Sequence, residues 1–237
     1  MSVAARADAL PAASSVLAVC AHPDDESFGL GAVLTRFAES GAAVSMLCFT
    51  HGEASTLGRS HRPLGEVRRE ELAEAAAVLG AGRVDLLDYP DGGLAEVPLA
   101  RLAADVATAA RAVDADLIVV FDEGGVTGHP DHVCATAAAL EGAALLPVIA
   151  WSLPREVADT LNAEFATGFI GRDVSDADVR LEVDRAVQRR AILCHASQAT
   201  DNPVLRRRLE LLGDTELLVW LRRPDEPSAR RPGRARR

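Results

Sequence analysis

The stretch VLAVCAHPDDESFG, residues 16–29, decides the fold. Its first five residues are apolar, which is typical of a buried strand, and they run directly into His22 and the acids Asp24, Asp25 and Glu26. Three carboxylates in one short turn repel each other, so we expect a positive partner or full solvation. The candidates are a metal ion, a nearby arginine, or water around an exposed loop.

Strand and helix patterns alternate on the C-terminal side of this stretch. The predicted strands are residues 16–20, 44–50, 84–89, 116–121, 147–151, 165–171, 178–183 and 215–221. The predicted helices are residues 28–40, 66–79, 98–113, 132–140, 184–195 and 203–212. Alternation at this spacing requires crossover connections. We therefore expect an α/β fold, with a mainly parallel sheet flanked by helices and a less regular α+β C-terminal part.

Composition limits the organisation and the partners of the chain. We expect a flexible leader at 1–13, a single domain at 14–221 and a disordered Arg/Pro-rich tail at 222–237. The net charge is −10, which argues against nucleic acid as a partner, and no apolar run is long enough to predict a membrane span. All 25 basic residues are arginine, which excludes lysine Schiff-base and Walker-lysine chemistry. We expect a cytoplasmic protein, and the sequence leaves open whether it forms a homo-oligomer.

Polar clusters follow each of the first four predicted strands. They lie at residues 22–26, 51–53, 90–93 and 122–132. Because ligands of open parallel sheets bind outside the carboxyl ends of the strands, we expect these four loops to build one site.

Two His-Pro-Asp motifs at this edge favour a metal. His22 and Asp25 lie in one tight turn, and His129-Pro130-Asp131-His132 adds two imidazoles with an acid between them. Two histidines and one carboxylate with an open position for water are the ligands of many catalytic zinc sites. Such a set also accepts Fe²⁺, Mn²⁺ or Co²⁺. The acids of the first motif cannot all be ligands, so one should serve as a base.

Other interpretations compete with a metal-dependent hydrolase. A facial triad of His22, Asp24 and His132 would suit a non-haem iron oxygenase, but those triads usually sit in all-β folds. A non-catalytic sugar- or metal-binding module would lack one of the catalytic groups. Glu26 is interpreted as a buried acid at the start of a helix, and His195 as either a helix cap or a pocket residue.

In combination, the motifs resemble the LmbE-like (PIG-L) family of zinc-dependent N-deacetylases. The resemblance spans about residues 15–220, and its motifs are AHPDDE at 21–26, GE at 52–53, VRREEL at 67–72, YPDG at 89–92, GVTGHPDH at 125–132 and HASQ at 195–198. It implies a Rossmann-like fold and hydrolysis of an N-acyl group, usually acetyl. The implied partner is a small N-acetylated amino sugar or glucosamine conjugate.

The resemblance also implies roles for the residues of the first motif. His22 and Asp25, together with His132, match the positions of the metal ligands, and the ion would be Zn²⁺. Asp24 matches the position of the general base.

Further roles are implied for the remaining loops. His129 matches the residue that stabilises the oxyanion, with Asp131 behind it, and we expect Asp131 to bond the His129 imidazole and raise its pKa. Glu53, Arg68 and Asp91 match positions that hold sugar hydroxyls in related enzymes.

Overall fold

The computed structural model describes residues 9–57 and 61–224, and its core is one twisted sheet. The strands found in these residues are β1 (Ser15–Cys20), β2 (Ala43–Thr50), β3 (Ala81–Tyr89), β4 (Leu117–Phe121), β5 (Val148–Pro154), β6 (Gly171–Arg172), β7 (Val179–Glu182) and β8 (Thr215–Arg222). Their order is β3-β2-β1-β4-β5-β8-β7, and β6 pairs with β5. The first five strands are parallel, while β8 is antiparallel to both β5 and β7. The predicted fold class is therefore confirmed.

Helices connect the strands close to where the sequence predicts them. Those of the described residues are α1 (Asp25–Phe28), α2 (Gly31–Glu39), α3 (Leu64–Leu79), α4 (Leu99–Ala112), α5 (Pro130–Gly142), α6 (Arg155–Phe165), α7 (Ala186–Cys194), α8 (Ala196–Ala199) and α9 (Pro203–Leu212). Of the helix predicted at 28–40, residues 31–39 form α2, while Phe28 is the last residue of the separate helix α1. The helix predicted to begin at His132 begins at Pro130, because proline suits the first helical position.

Both faces of the sheet are buried, which explains the apolar character of the central strands. Val16 and Ala18 of β1 face one core, with α2, α3 and α6, whereas Leu17 and Val19 face the other core, with α4 and α5. Successive side chains of a strand point to opposite faces, so a strand between two helical layers is apolar throughout.

One predicted strand is wrong. Residues 165–171 do not form a strand, because α6 continues through Phe165 and only Gly171 of this segment pairs with β5. Residues 155–164 carry no predicted element, although Val157, Ala158 and Leu161 are buried on one face of α6. Ala166, at φ 52°, has a left-handed backbone and ends the helix.

The ends of the expected domain are partly described. Leu10 packs against the core although it lies in the predicted leader. Arg222 belongs to β8, and Arg223 pairs with Asp178, so these two residues are ordered parts of the fold. The rest of the predicted tail, from 225 onward, lies outside the described residues, as do 1–8. Within the described ranges, no helix has both the length and the apolarity needed to span a membrane.

Candidate metal centre and active site

The two His-Pro-Asp motifs meet where the strand order reverses. The first motif follows β1, and the second follows the loop after β4, and these two strands are neighbours at the centre of the sheet. A crevice forms at such a point because the crossover connections leave in opposite directions. The loops after β1 and β4 therefore meet at one edge of the sheet, as predicted.

His22, Asp25 and His132 bring three potential ligand atoms together. His22 Nδ1 lies 3.2 Å from His132 Nε2, which lies 3.1 Å from Asp25 Oδ1. All three side chains are buried. The ligand atoms of this group lie within 4.8 Å of one another, as do those of a second group formed by His22, His129 and Asp131.

Hydrogen bonds fix the tautomers of the two histidines. His132 Nδ1 lies 3.0 Å from the carbonyl oxygen of Gly125, which can only accept, so this nitrogen carries the proton and leaves Nε2 with a lone pair. His22 Nε2 lies 3.0 Å from Asp91 Oδ1 and 3.3 Å from Asp131 Oδ2, so its proton faces two carboxylates and Nδ1 is left for a ligand.

The carboxylate of Asp25 is oriented by the backbone. Its Oδ2 accepts hydrogen bonds from the amides of Ala21 and His22, at 3.0 and 2.9 Å, which leaves Oδ1 facing His132. Burial alone raises the pKa of Asp25, but the charges and hydrogen bonds of His132 and His22 bring it well below its usual range. Asp25 is therefore a carboxylate at neutral pH.

The site fits a divalent metal. Two neutral imidazoles would direct lone pairs at each other across 3.2 Å, a contact that only a proton or a cation between them stabilises. Burial lowers the pKa of His22, yet the hydrogen bonds that its ring donates to Asp131 and Asp91, together with the charge of Asp25, raise it to about 10, so the surrounding acids strongly favour a positive charge here. In metal sites generally, each ligand side chain is held in place by a hydrogen bond to a further group of the protein.

Asp24 lies beside the ligands in an unusual backbone conformation. Its φ is 110°, which is strained for a residue with a side chain, and its amide donates a 2.9 Å hydrogen bond to Glu26 Oε2. Burial raises the pKa of its carboxyl group to about 6, although the charge of Arg68 opposes this. A carboxylate with this pKa is suited to accept a proton near neutral pH.

The residues predicted to bind sugar have mainly protein partners. Arg68 is buried, with Nη2 2.9 Å from Asp24 Oδ2 and Nη1 2.6 Å from the carbonyl oxygen of Gly52. Asp91 Oδ1 lies 3.0 Å from His22 Nε2, and Asp91 Oδ2 accepts a 2.9 Å hydrogen bond from the amide of Ala54. Arg68 and Asp91 therefore hold the side chains of Asp24 and His22 in this structure, and direct contact with a sugar remains a prediction.

Glu53 differs from the other two predicted sugar residues. Its side chain is exposed, and Oε1 accepts a 3.0 Å hydrogen bond from the amide of Asp91. This bond joins the loops after β2 and β3. The structure therefore places Glu53 at the predicted edge of the sheet, next to the site.

The predicted bond between Asp131 and the His129 imidazole is wrong. The carboxylate of Asp131 accepts instead from the amides of Gly92 and Leu94, at 2.8 and 3.1 Å, and faces His22. Burial, together with the neighbouring His22, lowers the pKa of His129 below its ordinary value, which is opposite to the predicted direction. His129 Nδ1 accepts a 3.2 Å hydrogen bond from the amide of Asp131, so in the neutral ring Nε2 carries the proton.

Glu26 and His195 form a buried pair 169 positions apart in sequence. His195 Nε2 lies 2.6 Å from Glu26 Oε1, and both side chains are fully buried. Glu26 is thus the buried acid that the sequence predicts, while the His195 side chain neither caps a helix nor lines the cavity of the described residues. Through Glu26, the pair supports the strained backbone of Asp24.

A cavity of about 520 Å³ opens over these groups. Its polar side contains His22, Asp24, Asp25, Arg68, Asp91, His129 and His132. Its apolar lining includes Phe28, Phe169, Val204 and Leu205, and Arg208 also lines it. Arg208 is not among the predicted site residues, because nothing in RRR at 206–208 distinguishes one arginine from the next.

The chain is similar in sequence to known proteins. The family model described as PIG-L, GlcNAc-PI de-N-acetylase, matches residues 17–143. A relative from Saccharopolyspora erythraea, 1D-myo-inositol 2-acetamido-2-deoxy-alpha-D-glucopyranoside deacetylase 2, is 34% identical over 206 residues, covering 70% of this chain and 75% of the relative.

Two solved structures share the fold. N,N'-diacetylchitobiose deacetylase from Pyrococcus horikoshii aligns with a TM-score of 0.66 and 23% identity, over 89% of this chain and 84% of its own. The 4-carboxy-2-hydroxymuconate hydratase GalB from Pseudomonas putida aligns with a TM-score of 0.67 and 20% identity, over 88% and 96%. The family match and the Saccharopolyspora relative decide the matter: this chain belongs to the PIG-L de-N-acetylase family.

Proposed function

We propose that the chain is a metal-dependent hydrolase that removes an N-acyl group, in the first place acetyl, from an amino sugar or glucosamine conjugate. The observation that carries the proposal is the convergence of His22 Nδ1, Asp25 Oδ1 and His132 Nε2 beside the carboxylate of Asp24, which is paired with Arg68 and whose pKa is about 6. The names of the Saccharopolyspora and Pyrococcus proteins, both deacetylases of acetylated amino sugars, support the substrate class.

His22, Asp25 and His132 would hold the ion, and we propose Zn²⁺, with Fe²⁺, Mn²⁺ and Co²⁺ as the other ions that this donor set accepts. When bound, such an ion polarises a carbonyl oxygen and lowers the pKa of a water molecule. The four cysteines are free thiols, which supports a reducing compartment such as the cytoplasm.

The protein's own groups would move the protons. Asp24 accepts the proton of the attacking water, and the ion pair with Arg68 holds its carboxylate in place. His129 donates its Nε2 proton as a hydrogen bond to the oxyanion that develops on the amide carbonyl, and it does so as a neutral ring. Asp24 then returns its proton to the leaving amine.

The test measures both products of amide hydrolysis. Because the same fold occurs in a hydratase, acetate and primary amine must appear in equal amounts from a panel of N-acetylglucosamine conjugates. The chain has no lysine, so it contributes little background to an amine assay.

A matched pair of variants tests the base. We expect Asp24→Asn to keep its metal and lose at least about a hundred-fold in kcat, on the scale of general-base loss. Asp88→Asn, at an exposed carboxylate, should behave like the wild type. Wild-type kcat in Asp24→Asn would reject Asp24 as the base, and a metal-loaded protein that hydrolyses no N-acetyl amino sugar would contradict the substrate class.

A further inference from the structure

Arg208 is a buried cation in the wall of the cavity. It belongs to α9, its residue is 6% exposed, and its guanidinium carbon lies 5.7 Å from the ring centre of Trp151 and 5.9 Å from that of Phe169. These two rings hold the planar guanidinium at a fixed place between the sheet and the cavity.

Most of the hydrogen-bonding capacity of Arg208 is unused. Among the described residues, its one hydrogen bond runs from Nη2 to the carbonyl oxygen of Phe28, at 2.9 Å, and no described carboxylate forms an ion pair with it. Its Nε is buried without a partner. A guanidinium has five N–H donors, so several remain for a ligand.

The nearest charges inside the fold already have partners. Glu216 accepts hydrogen bonds from Arg185 and, at 2.6 Å, from the Trp151 indole. Asp24 is paired with Arg68. Burial lowers the pKa of Arg208 to about 10, so the side chain is still charged at neutral pH. A buried charge without a close counter-charge is destabilising unless something else neutralises it.

We propose that Arg208 binds an anionic oxygen group, carboxylate or phosphate, of the substrate. The inference rests on the proposed deacetylase function and narrows its substrate class to N-acylated amino sugars that carry a negative charge. The planar fork of arginine matches both groups with two parallel hydrogen bonds. Phe169, whose ring lies against Arg208, lines this cavity together with the apolar side chains of Val204 and Leu205.

Charge-matched substrate pairs test the proposal. N-acetylmuramic acid is compared with its methyl ester, which has nearly the same shape and no charge, and N-acetylglucosamine 1-phosphate with methyl N-acetylglucosaminide. The measured quantity is the ratio of kcat/KM between the charged and the neutral member of each pair. Because both members share one enzyme preparation, this ratio is independent of metal loading and of the fraction folded. The two pairs also separate a carboxylate ligand from a phosphate ligand.

In at least one pair we expect the wild type to prefer the charged member, and Arg208→Gln to lower the ratio ten-fold or more, mainly through KM. Arg208→Lys keeps the charge without the fork and should restore part of the preference. Arg207→Gln is the matched control, since Arg207 is the preceding residue of α9, partly exposed and paired with Glu164. A wild-type preference for the neutral members, or an unchanged ratio in Arg208→Gln, would overturn the proposal.

An anion-binding experiment can test the Arg208 proposal even if the deacetylase proposal fails. If the wild type hydrolyses no substrate, the deacetylase proposal fails, and Arg208 is then tested by thermal unfolding of the holoprotein with inorganic phosphate. Phosphate should raise the Tm of the wild type and of Arg207→Gln more than that of Arg208→Gln. An equal rise in all three would overturn the anion site.

Discussion

Replacing Arg68 with Gln should move the acid limb of the pH–rate profile to higher pH. The guanidinium lies 2.9 Å from Asp24 Oδ2 in a buried environment, and its charge lowers the pKa of Asp24 against the larger effect of burial. Removing an opposite charge at this distance raises a carboxyl pKa by about 1–3 units. Starting from about 6, the pKa of Asp24 would become about 7–9 in the variant.

The loss of activity follows from the ionised fraction of the base. A base of pKa about 6 is about 90% ionised at pH 7, whereas one of pKa about 7–9 is only about 50% to 1% ionised. We therefore expect kcat/KM at pH 7 to fall about two- to ninety-fold and to recover as the pH rises towards 9. A bound cation would shift the pH–rate profiles of the wild type and of Arg68→Gln in the same direction. The predicted quantity is therefore the difference in pH between their acid limbs.

The assay is kcat/KM from pH 5 to pH 9, with the metal content measured on every sample. Arg69→Gln is the matched control, because Arg69 is the next residue of α3 and is exposed. An Arg68→Gln profile that is lower at every pH but has its acid limb where the wild type has it would refute the reasoning. In that case Arg68 contributes through substrate binding or folding.

The remaining predictions concern the ligands and the groups beside them. His132→Ala should lose most of its metal by elemental analysis, and full retention would contradict the ligand set. His129→Ala should keep its metal and lose kcat about a hundred-fold while retaining the acid limb, because neutral His129 stabilises the oxyanion; an unchanged kcat would exclude that role. Glu26→Gln should lower the free energy of unfolding by about 3–5 kcal/mol at pH 5.5, because it breaks a buried pair. The pKa of Glu26 is lower in the folded protein than its unfolded value of 4.5, so Glu26 stabilises the fold above pH 4.5. The pKa of His195 is higher in the folded protein than its unfolded value of 6.5, so its contribution to stability is complete below pH 6.5 and is lost as the pH rises through the folded pKa. Urea unfolding should therefore show a smaller difference between wild type and variant at alkaline pH, and a difference that grows there would contradict the pair.

Local patterns predicted the strands and the edge of the sheet at which the site lies. The carboxyl ends of β1 and β4 had to meet once both were parallel and central, and this placed His22 and His132 together although 110 positions separate them. Segment 165–171 was mistaken for a strand because its apolar and small residues suit either state, and the end of α6 depends on one left-handed residue.

The side-chain partners could not be predicted in the same way. The sequence places Asp131 two residues from His129, and that proximity suggested a bond, but the amides of the loop after β3 draw the carboxylate towards His22. Arg208 is held at the cavity by contacts with Trp151 and Phe28, which are far away in sequence, so the local sequence does not identify it. Such contacts depend on the packing of whole elements, and no short motif records them.

The position of Trp151 makes its fluorescence a reporter of anion binding at Arg208. The chain has two tryptophans, and this one is completely buried, with its indole N–H on Glu216 and the Arg208 guanidinium over its ring. The wavelength of indole emission depends on the electric field across the ring, so an anion that neutralises Arg208 should shift the emission maximum of Trp151. With Trp220 replaced by phenylalanine, emission would come from this single site. Compounds could then be screened by fluorescence titration before any turnover has been seen.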